Sequence, residues 1–226
     1  MTKCVHVEFY GLPGSGKSTI SHMVANELRA NGFSVCEPSF YSDHLRHPII
    51  RKIVKLYKTL IFSLRYPKSI IKIYKLLSQG EISQLLHFLQ HILNIAPKLN
   101  CYIHSKEKVY IWDEGLIQSS ISASLEHPMN TDIIAKELFD ISKNREVIKI
   151  YVEIDIDTAL KRLESRKKHD SRVEKEQDFL KKVDLMKKLN DSCDNIYGKI
   201  LKINNNKSSN IDEICKYIVK SILRYT

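Results

Sequence analysis

The sequence lacks the features of a secreted, membrane-spanning or metal-centred protein. Its five cysteines are scattered without a Cys-x-x-Cys pair, which argues against a disulfide framework and a zinc site. No apolar run approaches the roughly 20 residues that a membrane-spanning helix needs, and the segment that begins at Met1 has no signal-peptide pattern. The nine histidines show no metal-ligand spacing. We therefore expect a cytoplasmic protein with reduced thiols.

Acidic residues are absent from one long stretch, His44 to Gly80, which carries nine basic residues. These are Arg46, Arg51, Lys52, Lys55, Lys58, Arg65, Lys68, Lys72 and Lys75, and they nearly account for the formal net charge of +10. They alternate with Ile, Leu and Tyr at helical spacing, which is typical of an amphipathic helix. The stretch is either a solvated helix face or a surface for an anionic partner: an anionic substrate, an acidic membrane surface or nucleic acid.

Strand and helix patterns alternate along the chain. Strand-like stretches occur at Val5–Tyr10, Phe33–Glu37, Val109–Asp113, Val147–Ile154 and Lys199–Ile203. Between Asp43 and Asn100 the pattern is helical, with breaks predicted at Pro67, Gly80 and Pro97. This alternation indicates an α/β fold with a doubly wound parallel sheet, whose ligands bind beyond the carboxyl ends of the strands. At 226 residues, we expect a single domain over 1–226.

The strongest signal is the pattern Gly-x-x-x-x-Gly-Lys-Ser at Gly11–Ser18, between the first strand and a helix. Its glycines let backbone N–H groups turn toward phosphate oxygens, and the following helix adds its positive end. Lys17 is expected to reach the β- and γ-phosphates of ATP, and the Ser18 hydroxyl to bind Mg²⁺. The residues expected to contact the nucleotide are Gly11, Pro13, Gly14, Ser15, Gly16, Lys17, Ser18 and Thr19.

Three acidic residues stand at predicted strand ends. Asp113 ends the third strand, where a Walker-B carboxylate would hold Mg²⁺ directly or through water. Glu114 lies beside it and is a candidate to orient a nucleophile or the metal shell. Glu37 ends the second strand before Pro38, where a carboxylate would face the substrate cleft and accept a proton from an acceptor hydroxyl. Each of these acids would also suit an ordinary strand end. The functional interpretation therefore rests on the glycine-rich loop Gly11–Ser18, which we call the phosphate loop.

Three arginines, Arg162, Arg166 and Arg172, lie after the fourth strand. Phosphoryl transfer spreads negative charge over the transferred oxygens, and guanidinium groups brought in by a closing lid stabilise that charge. Arg162 and Arg166 are four residues apart and share one helix face. The alternative is that neighbouring glutamates pair with them on a solvated helix. The first interpretation makes 157–195 a lid region.

Four stretches, in this order, resemble the thymidylate kinase branch of the P-loop nucleoside and nucleotide kinases. They are Gly11–Thr19, Glu37-Pro38, Asp113–Ser120 and Ala159–Asn190, the last being similar to the lid of bacterial thymidylate kinases. The resemblance implies a P-loop NTPase three-layer sandwich: a five-stranded parallel sheet of order 2-3-1-4-5, with a helical lid and a helical insertion. It implies that Arg166 and Arg172 close over the phosphates of ATP, and it sets the turn Asn204–Lys207 near adenine.

The acceptor half of the chain departs from that family at Glu114, where thymidylate kinases have an arginine that contacts the acceptor phosphate. A carboxylate would repel a monophosphate. The basic helical region 43–100 on the acceptor side is also longer than usual. Two acceptor classes therefore stay open, a (deoxy)nucleoside monophosphate and a hydroxyl compound such as a nucleoside or sugar.

The leading hypothesis from the sequence is an ATP- and Mg²⁺-dependent kinase of thymidylate kinase-like type that acts on a small molecule. Lys17, Arg166, Arg172, Glu37 and Glu114 are its catalytic candidates, Arg162 joins the nucleotide site, and Ser18 and Asp113 bind the metal. The rival is a nucleotide-dependent switch whose basic helices contact a membrane, polysaccharide machinery or nucleic acid. The partners left open are a homodimer and an anionic surface bound through 44–80, and no recognition of DNA sequence is expected.

Overall fold

The computed structural model describes residues 4–43, 47–78, 85–106, 108–126, 131–142, 147–165, 180–181, 183–185, 200–206 and 210–224. Within these ranges, five parallel strands form one sheet in the order β2-β3-β1-β4-β5. The strands are β1 (Val5–Gly11), β2 (Val35–Cys36), β3 (Val109–Trp112), β4 (Val147–Glu153) and β5 (Ile200–Asn204). This topology confirms the predicted fold class.

Helices cover both faces of the sheet. They are α1 (Lys17–Ala30), α2 (Pro38–Asp43), α3 (Pro48–Arg65), α4 (Pro67–Ser78), α5 (Leu85–Ile103), α6 (Leu116–Glu126), α7 (Thr131–Ile141), α8 (Ile156–Glu164) and α9 (Ile211–Ile222). One core lies between the sheet and α1 with α9, and the other lies between the sheet and α5, α6 and α7. In the described part of the chain, no helix combines the length and hydropathy that crossing a membrane requires.

The strand β1 has both faces buried because β3 and β4 flank it and helices cover it from both sides. Val5, Val7 and Phe9 belong to the core beneath α1 and α9. His6 turns to the opposite side, where its ring stacks on Tyr102 of α5 with 4.1 Å between the centroids. The phosphate loop therefore starts from the most firmly packed strand of the sheet.

The helix breaks predicted at prolines can be compared with the observed ends of the helices. Pro67 begins α4, as a residue whose ring suits the first helical turn can do. The break predicted at Pro97 is wrong, because Pro97 lies inside α5. A proline there costs about 3 kcal/mol, but Ala96 and Leu99 beside it are fully buried and hold the helix on the core. The break predicted at Gly80 falls outside the described residues.

The second strand is shorter than the prediction, Val35–Cys36 instead of Phe33–Glu37. Pro38 begins the short helix α2, so the chain leaves the sheet directly after Cys36. The ends of β1, β3, β4 and β5 lie within one residue of the predicted ends. Of the predicted lid region 157–195, the described part contains most of α8 and a few residues beyond it.

Candidate functional site

The loop between β1 and α1 has the backbone geometry of a phosphate cradle. Gly14 and Gly16 have φ values of 83° and 88°, a region that strains any residue with a side chain. A Cβ atom on Gly14 would lie 2.7 Å from the carbonyl oxygen of Ala159. A Cβ atom on Gly16 would lie 2.5 Å from Nδ2 of Asn205. Both glycines are therefore required by the packing of neighbouring elements as well as by the turn.

The ammonium group of Lys17 lies across this loop. Its Nζ donates to the carbonyl oxygens of Gly11 at 3.0 Å and Leu12 at 2.8 Å, and the residue is 9% exposed. Ser18 and Thr19 follow on the exposed side of the first turn of α1. The two carbonyls thus fix a positive charge beside the loop, and its contact with the phosphates of ATP stays a prediction.

Two features of the loop fit a bound triphosphate. The hydroxyl oxygen of Ser15 is buried and lacks a hydrogen-bond partner within the described ranges, although buried hydroxyls normally have one. The first turn of α1 begins at Gly16, where no side chain caps the backbone N–H groups in the described structure. Such N–H groups and the positive helix end bind phosphate oxygens. The residues present therefore suit the phosphate chain of a nucleotide.

The two residues predicted to bind magnesium, Ser18 and Asp113, are accessible to solvent. Ser18 is exposed and Asp113, directly after β3, is partly exposed. No group of three His, Cys, Asp or Glu side chains that could hold a metal occurs among the residues described. Mg²⁺ in nucleotide sites needs only one or two protein ligands, because phosphate oxygens and waters complete its shell. Ser18 and Asp113 are compatible with that mode of binding.

Arg162 and Asn205 hold the phosphate loop from the side of β4 and β5. The Arg162 guanidinium, on α8, donates to the carbonyl oxygens of Gly14 at 3.4 Å and Asn205 at 3.1 Å. The buried Asn205 amide donates from Nδ2 to the carbonyl oxygen of Ser15 at 2.7 Å. Arg162 therefore lies beside the phosphate loop, and its contact with a nucleotide stays a prediction. Arg166 and Arg172 lie outside the described residues.

Sequence reasoning gave Asn205 only as part of the turn Asn204–Lys207 near adenine. In the structure, Asn205 braces the phosphate loop, and its backbone N–H also bonds to the carbonyl oxygen of Glu153 at 2.9 Å. An asparagine directly after a parallel strand, at the carboxyl end of the sheet, was the signal that could have found it.

A lysine on α5 reaches the start of α6, which follows Asp113 and Glu114. Lys98 Nζ lies 2.8 Å from Oγ of Ser119 and 3.3 Å from the carbonyl oxygen of Gly115. Burial lowers the pKa of Lys98, and the negative charge of Glu114 opposes this shift. The sequence analysis did not single out this residue, although it is the only Lys, Arg, Asp or Glu in α5.

The same helical turn touches the phosphate loop. Gln118 Oε1 accepts a hydrogen bond from the backbone N–H of Gly11 at 3.3 Å. Ser119, the next residue, receives the bond from Lys98. The first turn of α6 therefore joins the side chain of Lys98 on one side to the beginning of the nucleotide loop on the other.

A buried glutamate on β1 fixes the position of that turn. Glu8 is fully buried and accepts hydrogen bonds from the N–H groups of Leu116 and Ile117, both at 2.9 Å, and from the hydroxyl of Tyr102. Burial raises the pKa of Glu8. A Cβ atom on Gly115 would collide with the Glu8 carboxylate. Glu8 is thus a positioning residue, and its only signal in the sequence was an acid in the middle of a central strand.

Glu37 lies against α1. It is 3% exposed, its Oε2 accepts from Arg29 at 2.6 Å, and its Oε1 lies 3.0 Å from Nδ1 of His22. Both partners belong to α1, the helix that follows the phosphate loop. The role of Glu37 as a base stays a prediction, as does that of Glu114, which is exposed.

The chain is similar to solved structures, whereas no family model and no curated protein matches it. Deoxyadenosine kinase from M. mycoides with the products dCMP and a flexible dCDP matches 98% of this chain and 100% of its own, at 13% identity and a TM-score of 0.53. The structure of the same enzyme with dATP matches 96% of this chain and 98% of its own, at 16% identity and a TM-score of 0.53.

The structure of that enzyme with dCTP matches 97% of this chain and 99% of its own, at 14% identity and a TM-score of 0.50. At such identities the likeness establishes the fold and nothing finer. The thymidylate kinase type remains a prediction from the sequence. The chain has the three-layer P-loop fold that is found in nucleoside kinases.

Proposed function

We propose that the protein is an ATP-dependent kinase that phosphorylates a nucleoside or a nucleoside monophosphate. The observation that carries this proposal is the ammonium of Lys17 held across the loop by Gly11 and Leu12, with Arg162 bonded to Gly14 of the same loop. Two cations on a glycine-lined cradle suit the triphosphate of a nucleotide. The deoxyadenosine kinases of similar fold contain dATP or dCTP, which supports the same class of ligand here.

In this proposal an oxygen of the acceptor attacks the γ-phosphorus of ATP and ADP leaves. A nucleoside attacks through a hydroxyl, whose proton passes to a carboxylate, whereas a monophosphate attacks through an ionised phosphate oxygen and needs no base. Lys17 and Arg162, with the lid residues Arg166 and Arg172 from the sequence prediction, balance the negative charge on the phosphate oxygens. Ser18 and Asp113 would hold magnesium. When bound, Mg²⁺ neutralises charge on the β- and γ-oxygens.

Lys98 favours a monophosphate as the acceptor. The chain has Glu114 where thymidylate kinases have an arginine for the acceptor phosphate, and Lys98 brings a positive charge close to that carboxylate. Within the described part of the chain, the hydrogen-bond acceptors of Lys98 are neutral oxygens, those of Gly115 and Ser119. An ammonium that is partly buried and bonded to neutral groups gains most from an anionic ligand.

If the acceptor is a nucleoside hydroxyl, Glu37 and Glu114 are the two carboxylates proposed to receive its proton. Glu114 is exposed beside Asp113, whereas Glu37 is fixed by Arg29 and His22 on α1. A carboxylate has about four lone-pair positions, so the hydrogen bonds to Glu37 leave room for a further donor. Glu37→Gln and Glu114→Gln assign the role, since the base variant loses turnover about 100-fold or more while the other keeps it.

The test of the proposed function is a screen of ATP consumption with nucleosides, nucleoside monophosphates and sugars as acceptors. Lys17→Ala serves as the blank. We expect stimulation by a nucleoside or a monophosphate and formation of the phosphorylated product. Stimulation by dTMP alone would establish the thymidylate kinase type. Hydrolysis that no acceptor stimulates would overturn the kinase proposal in favour of a switch.

The role of Lys98 has its own test. Lys98→Met should raise KM for a monophosphate acceptor by about tenfold or more, since it removes a charge-assisted contact, and should leave KM for ATP unchanged. Lys136→Met is the matched control, because Lys136 is an exposed lysine on α7. Equal KM values for the acceptor in both variants would exclude Lys98 from the acceptor site.

A further inference from the structure

The helix α3 has an apolar face that no described element covers. Its large exposed side chains are Ile49, Ile50, Ile53, Leu56, Tyr57, Leu60 and Leu64, each between 51% and 76% exposed. At 3.6 residues per turn they occupy a stripe of about 120° around the helix. The buried residues Thr59 and Phe62 lie on the opposite side, which packs on α5. Soluble monomers rarely expose a continuous apolar patch of this kind.

Basic residues border the stripe on both sides. Lys52 lies along one margin and Arg65 lies on the side of the other; both are exposed. The helix α4 continues the pattern with exposed Lys68 and Lys75. No Asp or Glu occurs between residues 47 and 78. The stripe and its margins, which we call the α3 outer face, therefore combine apolar side chains with charge of one sign.

We propose that the α3 outer face binds the surface of a lipid bilayer that contains anionic headgroups. An amphipathic helix of this composition lies in the interface plane, with its apolar side chains among the upper acyl chains and its cations at the headgroups. At 18 residues, α3 would cover about 27 Å of that surface. Tyr57 suits the same interface, because its ring is apolar and its hydroxyl is polar.

Charge decides between the bilayer and the two other classes of partner. In a symmetric pair of copies, the cations of one α3 outer face would meet those of the other, and like charges repel. A nucleic acid would neutralise the cations but leave the aliphatic stripe in water, because phosphate contacts give it no partner. An anionic bilayer satisfies both parts of the face at once.

The test is co-sedimentation of the full chain with vesicles of phosphatidylcholine alone or mixed with phosphatidylglycerol. It needs no turnover, so its result is independent of the proposed kinase activity. We expect binding to the anionic vesicles, weakened by salt, and little binding to the neutral ones. Absence of binding to anionic vesicles at low salt would overturn the proposal.

Substitutions separate the stripe from its margins. Ile53→Ser, Leu60→Ser and Leu64→Ser together should weaken binding more than about tenfold, and Lys52→Gln with Arg65→Gln by about fivefold per cation. Tyr217→Ser, at an exposed position on α9, is the control and should bind like the natural protein. Circular dichroism verifies that each variant folds, and the pair of charge substitutions provides an independent result if the triple variant does not fold.

Two outcomes would assign the face to another partner. A dimer in light scattering that the triple serine variant disrupts would make it an interface between copies. Retention of an RNA homopolymer that depends on Lys52 and Arg65, but is unaffected by the serine substitutions, would make it a nucleic-acid surface. Either result contradicts the bilayer proposal.

Discussion

Asn205→Asp tests whether the phosphate loop depends on its brace from the end of β5. The Asn205 amide donates to the carbonyl oxygen of Ser15 at 2.7 Å in a buried position. Aspartate replaces this donor with an oxygen, so the Ser15 carbonyl loses its partner and faces a negative charge. Leaving a buried acceptor unsatisfied costs about 1–3 kcal/mol. That range corresponds to a loss of about 5- to 150-fold in affinity for the nucleotide.

The assay is isothermal titration of each variant with a non-hydrolysable ATP analogue. Asn210→Asp is the matched control, with the same change of charge at the N-cap of α9, where the side chain accepts from Asp212 N at 3.1 Å. Aspartate caps helices as well as asparagine, so the control should keep its affinity. If Asn205→Asp binds the analogue as tightly as the control does, the bracing role of Asn205 is refuted.

Four further predictions concern stability. Gly115→Ala should lower the free energy of unfolding in urea by about 1–3 kcal/mol, because its Cβ meets the Glu8 carboxylate; an unchanged value would contradict this contact. Burial raises the pKa of Glu8 above 4.5, so the folded chain binds this proton more tightly than the unfolded chain. The stability that this proton contributes is therefore complete below pH 4.5 and is lost as the pH rises through the raised pKa. The free energy of unfolding of Glu8→Gln lacks this pH dependence. Measured in urea, it should therefore rise relative to that of the natural protein as the pH increases over this range. Parallel pH profiles of the two proteins would exclude the effect. Leu99→Ala in the core should cost about 2–5 kcal/mol. Leu64→Ala on the α3 outer face should change stability by less than about 0.5 kcal/mol, and similar losses for the two would contradict the burial pattern.

The sequence was most informative where local chemistry dictates structure. The glycine pattern fixes a turn with positive φ, so the loop, the position of Lys17 and the start of α1 could be predicted. The order of the strands came from the resemblance, and alternating patterns placed all strands except the shortened β2 within one residue. The spacing of basic residues after β4 marked Arg162 as a candidate, but not its bond to the carbonyl oxygen of Gly14.

The features that escaped prediction depend on packing between distant parts of the chain. Helix α5 continues through Pro97 because buried neighbours outweigh the local cost. Glu37 bonds to Arg29 and His22, contacts that depend on how α1 packs beside the end of β2. Glu8 and Lys98 act through partners about 100 and 20 residues away. No local pattern contains such information.

The contact between Glu8 and Gly115 also has a consequence for how related sequences vary. The carboxylate occupies the space in which any side chain at position 115 would begin, so the two positions share one volume. A relative with alanine or serine at 115 is expected to have a shorter side chain at position 8, such as Asp or Ser. The helix start beside the nucleotide loop would then be anchored by a different acceptor, and the two substitutions would be inherited together.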